Sequence, residues 1–388
     1  NRWLRVDYGT IPVRSHDPDR PLPLGDSQTR MTELAKILRR QIAATGPMTL
    51  AQYMSACLLH PDHGYYTTQD ALGVDGDFTT APEISQMFGE LIGLCVAQAW
   101  MDQGAPERFA LVELGPGRGT LIADVMRATV QVPGFHKAAD LHLVEASERM
   151  RSLQAKALPA HRPAWHDTAE TLPDDRPLFA IANEFFDALP IRQFQRDEKG
   201  WREVMVGLGQ DDTLQRGLSD PAPIDALESR LDDTQPGVLV ETSAHATAVV
   251  DALARRIASQ GGMALFIDYG GWHSDGDTFQ AVRAHRPVDP FAEPGRADLT
   301  AHVDFEALAR AALITGCAAS QLTNQGVFLE RLGITPRAQG LAKGLSGSTL
   351  DAHIAAHRRL THPDEMGSLF KVLGLYPSSE SPPPGLDP

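Results

Sequence analysis

Short continuous apolar runs alternate along the chain with stretches whose apolar residues have helical spacing. The runs at 109–114, 141–144, 178–182 and 263–267 are almost entirely apolar, as in strands buried on both faces. The spacing predicts helices at about 31–42, after Thr49, and at 82–103, 120–130, 147–158, 244–259 and 303–314. This alternation predicts an α/β protein with a doubly wound, mostly parallel sheet covered on both faces.

Further strands are predicted outside these runs. Residues 192–196 and 203–207 form a predicted hairpin that turns at Lys199-Gly200. The stretches 318–322 and 369–375 are predicted to supply an antiparallel pair that closes the sheet. A short strand is expected near Trp165.

Composition divides the chain into segments. Residues 1–30 combine arginines with aspartates and prolines, which favours an extended arm over a signal or transit peptide. We expect an N-terminal helical segment with a Gly/Thr/Pro-rich loop at 31–105 and a disordered Pro/Ser tail at 377–388. Between them we expect a main domain at 106–376, with insertions at 190–236, 271–300 and 325–365. The 271–300 segment is interpreted as a lid, because it is too long for an ordinary connection.

Charge and cysteine content exclude several classes of protein. The net charge of −15 argues against nucleic acid and anionic membrane as partners, but it suits a basic protein segment. No apolar stretch approaches the roughly 20 residues that span a bilayer. The three cysteines are scattered, and His60 and His63 flank a Pro-Asp turn without a third ligand, so we predict no metal site. A reducing cytosol or mitochondrial matrix is the expected compartment.

The sequence from Glu113 to Gly119 carries the main functional signal. A strand ending in an acid and a Gly-x-Gly-x-Gly turn allows close approach of a ligand to the backbone, and the following helix offers free N–H groups. Dinucleotide sites need a third glycine where Thr120 stands. Glu113 would repel a pyrophosphate but attract the ammonium of S-adenosylmethionine. Gly115, Gly117 and Gly119 are therefore candidate cofactor contacts, with a structural glycine turn as the alternative.

Two more acids follow later strands. Glu145 lies 26 residues after Gly119, where the second parallel strand of such folds delivers an acid to ribose hydroxyls. Asp167 follows the short strand near Trp165 and is a candidate acceptor for the adenine amino group. The alternatives are a solvated strand-end glutamate and a helix N-cap, respectively.

The fourth strand ends in a crowded polar stretch that includes Asn183, Glu184 and Asp187. We expect Asn183 at the cofactor and the two acids beside its methyl group, where carboxylates can grip a guanidinium and raise electron density on the attacking nitrogen. Alternatively, the acids only start a helix. His302 is a candidate base, although a capping turn with Asp298 or Thr300 as the cap is an equal alternative.

Four blocks together resemble the MidA family, which comprises mitochondrial complex I assembly-factor methyltransferases and their bacterial relatives. The blocks are 76–90, 113–120, 183–190 and 297–305. The resemblance implies a class I methyltransferase fold, S-adenosylmethionine as donor and, for the mitochondrial members, dimethylation of an arginine on a complex I subunit. It also implies cofactor binding by the Glu113–Gly119 loop and Glu145, and a place near the active site for Asp77, Thr80 and Glu83.

The resulting hypothesis is a protein arginine methyltransferase that acts on a complex I subunit or its bacterial counterpart. It would be cytoplasmic in a bacterium and in the matrix in a eukaryote, and a homodimer is possible. One alternative is a small-molecule methyltransferase, for which we would expect a closed lid at 271–300 and a deep narrow pocket instead of an open acidic groove. The other is an assembly chaperone that binds S-adenosylmethionine only as a structural ligand.

Overall fold

The fold is described by a computed structural model that covers residues 31–68, 80–274 and 276–388. The helices are α1 Glu33–Thr45, α2 Leu50–Leu59, α3 Tyr65–Thr68, α4 Ala81–Ile84, α5 Gln86–Asp102, α6 Thr120–Ala128, α7 Phe135–Ala138, α8 Glu148–Ala157, α9 Ala244–Gln260, α10 Phe305–Ile314, α11 Gln325–Arg331, α12 Ile334–Ala342, α13 Gly347–Thr361 and α14 Met366–Leu369. The strands are β1 Met48–Thr49, β2 Phe109–Leu114, β3 Ala139–Val144, β4 Ala164–His166, β5 Leu178–Asn183, β6 Arg192–Asp197, β7 Gly200–Leu208, β8 Leu214–Leu218, β9 Leu239–Thr242, β10 Gly262–Gly271, β11 Gln280–Arg283, β12 Arg286–Val288, β13 Asp298–Thr300, β14 Val303–Asp304, β15 Cys317–Ala319, β16 Thr323–Asn324 and β17 Phe370–Pro377.

The central sheet has the order β15-β17-β10-β5-β2-β3-β4, with β14 and β16 paired at its margins. The strands from β10 to β4 are parallel neighbours, whereas β17 runs antiparallel between β10 and β15. When these seven strands are numbered along the chain and read from the β4 edge, their order is 3-2-1-4-5-7-6. It is the doubly wound arrangement with one antiparallel strand inserted. The predicted α/β class and the closing antiparallel pair are therefore confirmed.

Each central strand alternates its side chains between two apolar layers, as the pleat requires. Leu111 and Ile181 face the layer that contains α5 and α6. Val112 and Ala180 face the opposite layer, which contains α9 and α10. Because both faces are covered, the strands are the continuous apolar runs seen in the sequence.

Two smaller antiparallel sheets flank this core. One contains β1, β7, β6 and β9, with β8 paired to β7, and includes the predicted hairpin. The other has the order β12-β11-β13 and is built from the 271–300 segment. Its residues Phe279 and Leu299 pack into one apolar cluster with Leu34 and Tyr53 of the N-terminal helices. The segment thus has secondary structure of its own, and its function as a lid stays a prediction.

The tail differs from the expectation of disorder. Leu386 is buried, the Cys95 thiol donates to the Pro384 carbonyl at 3.4 Å, and the Gln321 amide donates to the Asp387 carbonyl at 2.9 Å. Polar and proline-rich composition concealed these contacts, because a few apolar side chains suffice to anchor a short segment to α5 and β17. The expected arm at 1–30 lies outside the described residues.

Local capping corrects two predicted helix starts. The helix at 82–103 is interrupted at Ser85, whose side chain caps α5 by accepting from the Met87 amide. For α10, Asp304 caps the helix by accepting from the Ala307 amide, so neither Asp298 nor Thr300 has that role. Within the described ranges, no helix is long and apolar enough to cross a membrane.

Candidate active site

The glycine loop joins the end of β2 to the start of α6. Gly115, Gly117 and Gly119 have φ values of 61°, 51° and 84°, which side chains with a Cβ rarely adopt. A Cβ on Gly115 would lie 2.7 Å from the Phe185 ring. The loop therefore depends on glycine for both its backbone conformation and its packing.

Glu113 lies beneath this loop and is only 3% exposed. The Ile122 amide, in the first turn of α6, donates to its carboxylate. Its Oε2 atom has no hydrogen-bond partner among the described residues. Burial raises the pKa of Glu113 to about 8, against the effect of that amide. An unpartnered buried carboxylate of this kind is suited to a positively charged ligand group.

Glu145 follows β3 and is connected to the glycine loop by a residue that sequence reasoning missed. The side-chain amide of Gln154 donates to the Gly117 carbonyl at 2.8 Å and to Glu145 Oε2 at 3.1 Å. Gln154 in turn accepts from the Trp165 indole at 2.8 Å. Burial raises the pKa of Glu145. The strand-end acid thus borders the loop, and is not simply solvated.

Asp167 follows β4 with an exposed carboxylate that pairs with Arg151. The same guanidinium also donates to the Glu145 carbonyl. Asp167 therefore stands beside Glu145 at adjacent strand ends, and no N-capping hydrogen bond precedes the short 3-10 helix at Ala169–Thr171. Its contact with an adenine stays a prediction.

A narrow cavity of about 60 Å³ brings together most of the remaining candidates. It is lined by residues of the glycine loop, the start of α4 and the end of β5, including Glu113, Gly115, Gly117, Thr80, Glu83, Asn183 and Glu184. The Thr120 hydroxyl donates to Glu83 Oε1 at 2.6 Å and so ties α4 to α6. Asp77 lies outside the described residues.

Glu184 has an unusual backbone conformation at the end of β5. Its φ of 49° lies in the left-handed region, which is uncommon for a residue with a side chain. Its Oε1 atom accepts from the Ala81 amide at 2.9 Å and from the Asn183 side chain at 3.1 Å. Burial raises the pKa of Glu184 to about 7, and the nearby charge of Asp187 adds to this rise.

Asp268 holds the turn that carries these acids. Its Oδ2 atom accepts from the amides of Phe185, Phe186 and Asp187 at 3.0–3.2 Å, and its Oδ1 atom accepts from the Tyr269 amide at 2.9 Å. Burial and the charges of the neighbouring acids raise the pKa of Asp268, while these backbone donors oppose the rise. Sequence reasoning assigned it no role, although an acid at the end of the fifth core strand was a usable signal.

Asp187 is 6% exposed, and burial raises its pKa to about 6. Its carbonyl accepts from the Ala301 amide at 3.0 Å, which joins the turn after β5 to the 297–305 block. His302 of that block stacks edge-on against Tyr269 with ring centroids 5.5 Å apart. Partial burial and the charge of Lys371 lower the pKa of His302. His302 lines a separate cavity of about 400 Å³ and not the narrow one.

Strand order, glycine loop and acids at successive strand ends define a class of protein: an S-adenosylmethionine-dependent methyltransferase with a class I fold. The residues present fit that cofactor, because the glycines of the loop carry no side chains that would block a ligand and Glu113 offers an unpartnered buried carboxylate. A family model for S-adenosyl-L-methionine-dependent methyltransferases matches residues 91–323, more than half of the chain.

Curated relatives identify the family more closely. The chain is 36% identical over 379 residues to the human protein arginine methyltransferase NDUFAF7, mitochondrial, covering 90% of this chain and 85% of that protein. It is 35% identical to the Drosophila melanogaster homolog, covering 96% and 92%. The chain therefore belongs to the MidA family of S-adenosylmethionine-dependent methyltransferases, to which NDUFAF7 belongs, and the resemblance seen in its four sequence blocks is confirmed.

Two solved structures from Burkholderia thailandensis share this fold. A COG1565 superfamily member bound to S-adenosyl-homocysteine superposes with a TM-score of 0.79 at 28% identity, covering 91% of this chain and 94% of that one. A native structure from the same superfamily gives 0.75 at 29%, covering 92% of each chain.

Proposed function

We propose that this chain methylates the guanidinium of an arginine on a protein partner, a subunit of respiratory complex I or its bacterial counterpart. The observation that carries the proposal is the pair of carboxylates, Glu184 and Asp187, on one turn at the end of β5. Glu184 lines the cavity under the glycine loop, so this turn borders the cofactor site. The names of the curated relatives, which describe protein arginine methyltransferases, support the same acceptor.

In this proposal Glu113 and Glu145 hold the ammonium and the ribose hydroxyls of the cofactor, Asn183 lies against it, and Asp167 accepts from the adenine. When bound, S-adenosylmethionine supplies an electrophilic methyl group on a sulfonium. The chain's own task is alignment of the acceptor nitrogen, which in well-oriented systems contributes up to roughly 7–11 kcal/mol to the rate.

Glu184 and Asp187 are suited to a cation because burial disfavours their charged forms, and a neighbouring positive charge would offset that cost. Burial has raised their pKa values to about 7 and about 6. A guanidinium between them would lower both pKa values and satisfy their oxygens by charge-assisted hydrogen bonds. After transfer, the methylated nitrogen must lose a proton. A carboxylate with a pKa near neutrality is the group that can accept it.

The test is transfer of labelled methyl from S-adenosylmethionine to the purified complex I subunit of the same organism. We expect label on an arginine, lost in Glu184→Gln with cofactor binding retained. Gly117→Val is the cofactor-site control, because a β-branched residue is strained at a φ of 51°. Label on a small molecule instead would favour the alternative substrate class. Cofactor binding without transfer to any acceptor would favour the chaperone.

A further inference from the structure

A second group of buried polar atoms includes Asp187, which does not line the cofactor cavity. Asp187, Tyr269 and Thr300 are each at most 6% exposed. Asp187 Oδ1, the Tyr269 hydroxyl and Thr300 Oγ1 make no well-formed hydrogen bond to any residue in the described part of the chain. The three groups are nevertheless neighbours, because a poorly aligned hydrogen bond from the phenol lowers the pKa of Asp187 against the larger effect of burial, and the phenol interacts with Thr300 in the same way. Buried polar atoms left in this state need an explanation, and a ligand is one.

Asp298 lies in the same group. It occupies β13 two positions before Thr300, so the side chains of both residues lie on the same face of the strand. The Tyr66 hydroxyl donates to Asp298 Oδ1 at 2.8 Å. Burial raises the pKa of Tyr66, and the charges of Asp298 and Asp187 add to this rise.

The helix that carries Tyr66 also borders the cofactor side. The Tyr66 carbonyl accepts from the Ser147 hydroxyl at 3.5 Å, and the Ser147 amide donates to Glu145 Oε1 at 2.8 Å. Ser147 and Tyr66 thus connect Glu145, the candidate ribose acid, to the Asp298 carboxylate on β13. The group is therefore adjacent to the cofactor site. We call it the acceptor pocket; its members are Tyr66, Asp187, Tyr269, Asp298 and Thr300.

We infer that Asp298 is a third carboxylate of the acceptor site, in addition to Glu184 and Asp187, and that Tyr66 positions it. The pocket would then be built for a planar guanidinium. The inference rests on the proposed function and adds which residues grip the acceptor. The two carboxylates and three hydroxyls of this pocket are five polar groups, more than the three donors of an ammonium require, but they match the five donors of a guanidinium.

The experiment measures binding of acetyl-arginine amide to the full chain saturated with S-adenosylhomocysteine, by titration calorimetry or ligand-observed NMR. Acetyl-lysine amide and acetyl-citrulline amide are the comparison probes. We expect the arginine probe to bind best and Asp298→Asn to weaken it by about tenfold or more, since a hydrogen bond to a charged group is lost. Tyr66→Phe should weaken it severalfold, with S-adenosylhomocysteine affinity unchanged in both variants.

Tyr53→Phe is the matched control. Its side chain is fully buried in the neighbouring helix α2, and its hydroxyl donates to the Pro290 carbonyl at 2.5 Å, away from the pocket. We expect it to bind the probe as the unaltered protein does. If Asp298→Asn does not fold, judged by loss of S-adenosylhomocysteine binding, the affinity of Tyr66→Phe for the arginine probe decides whether the inference holds.

Equal binding of arginine, lysine and citrulline probes, or no binding of the arginine probe, would overturn the inference. So would Asp298→Asn or Tyr66→Phe variants that bind the probe like Tyr53→Phe. In those cases, label on an arginine in the transfer assay would leave the proposed function standing. Absence of that label together with normal probe binding would refute the proposed function and retain the cation pocket.

Discussion

Replacing Glu113 by glutamine should change how the stability of the ligand-free protein depends on pH. Glu113 is almost fully buried, and its pKa is raised from an ordinary 4.5 to about 8. The folded state therefore binds more protons than the unfolded state between these values. Stability from this group is fully present below about pH 4.5 and is lost as the pH rises through about 8.

The magnitude follows from the two pKa values. The destabilisation by Glu113 is about 1 kcal/mol at about pH 5 and about 5 kcal/mol at about pH 9, so it grows by about 4 kcal/mol across that interval. In Glu113→Gln this pH-dependent part is absent. A constant cost of about 1–3 kcal/mol for an unpartnered amide affects all pH values equally. The other buried acids contribute alike to both proteins, so the difference between the two curves isolates Glu113.

The assay is urea-induced unfolding of both proteins between about pH 5 and 9 without cofactor. We expect the free energy of unfolding of Glu113→Gln to increase by several kcal/mol relative to that of the unaltered protein as the pH rises. Its affinity for S-adenosylmethionine should fall by about tenfold, since a charge-assisted contact is lost. Curves that stay parallel across this range would refute the account of Glu113 as a buried carboxylate without a charge partner.

Three further predictions concern the turn, the loop and the helical insertion. Asp268→Asn should lower kcat by about 100-fold with cofactor affinity retained, because displaced acids cost alignment; steady-state kinetics and calorimetry check this. Gly115→Ala should abolish S-adenosylmethionine binding, measured by calorimetry, because its Cβ would meet Phe185 at 2.7 Å. Glu90→Gln should cost about 1–2 kcal/mol of stability in urea without loss of activity, since it breaks ion pairs to two half-exposed arginines of α6 and α12.

Contacts between distant parts of the chain decided which acids matter. Tyr66 and Asp298 are 232 residues apart in sequence, and Asp268 is more than 80 residues from the turn that it holds. Spacing rules see only near neighbours, so Asp298 was interpreted as a helix cap and Asp268 as part of a strand. The tail at 377–388 is likewise held by hydrogen bonds to remote residues, Cys95 and Gln321.

The sequence by itself determined the α/β class, the glycine loop and the family. These follow from local periodicity, from φ values that only glycine adopts readily, and from short blocks of fixed spacing. Only the tertiary structure decided that Glu113 lacks a partner, that Asp268 organises the turn after β5, and that His302 lies apart from the narrow cavity. The physical reason is that burial and hydrogen-bond partnership, which set the charge state of a carboxyl group, depend on which remote segments pack around it.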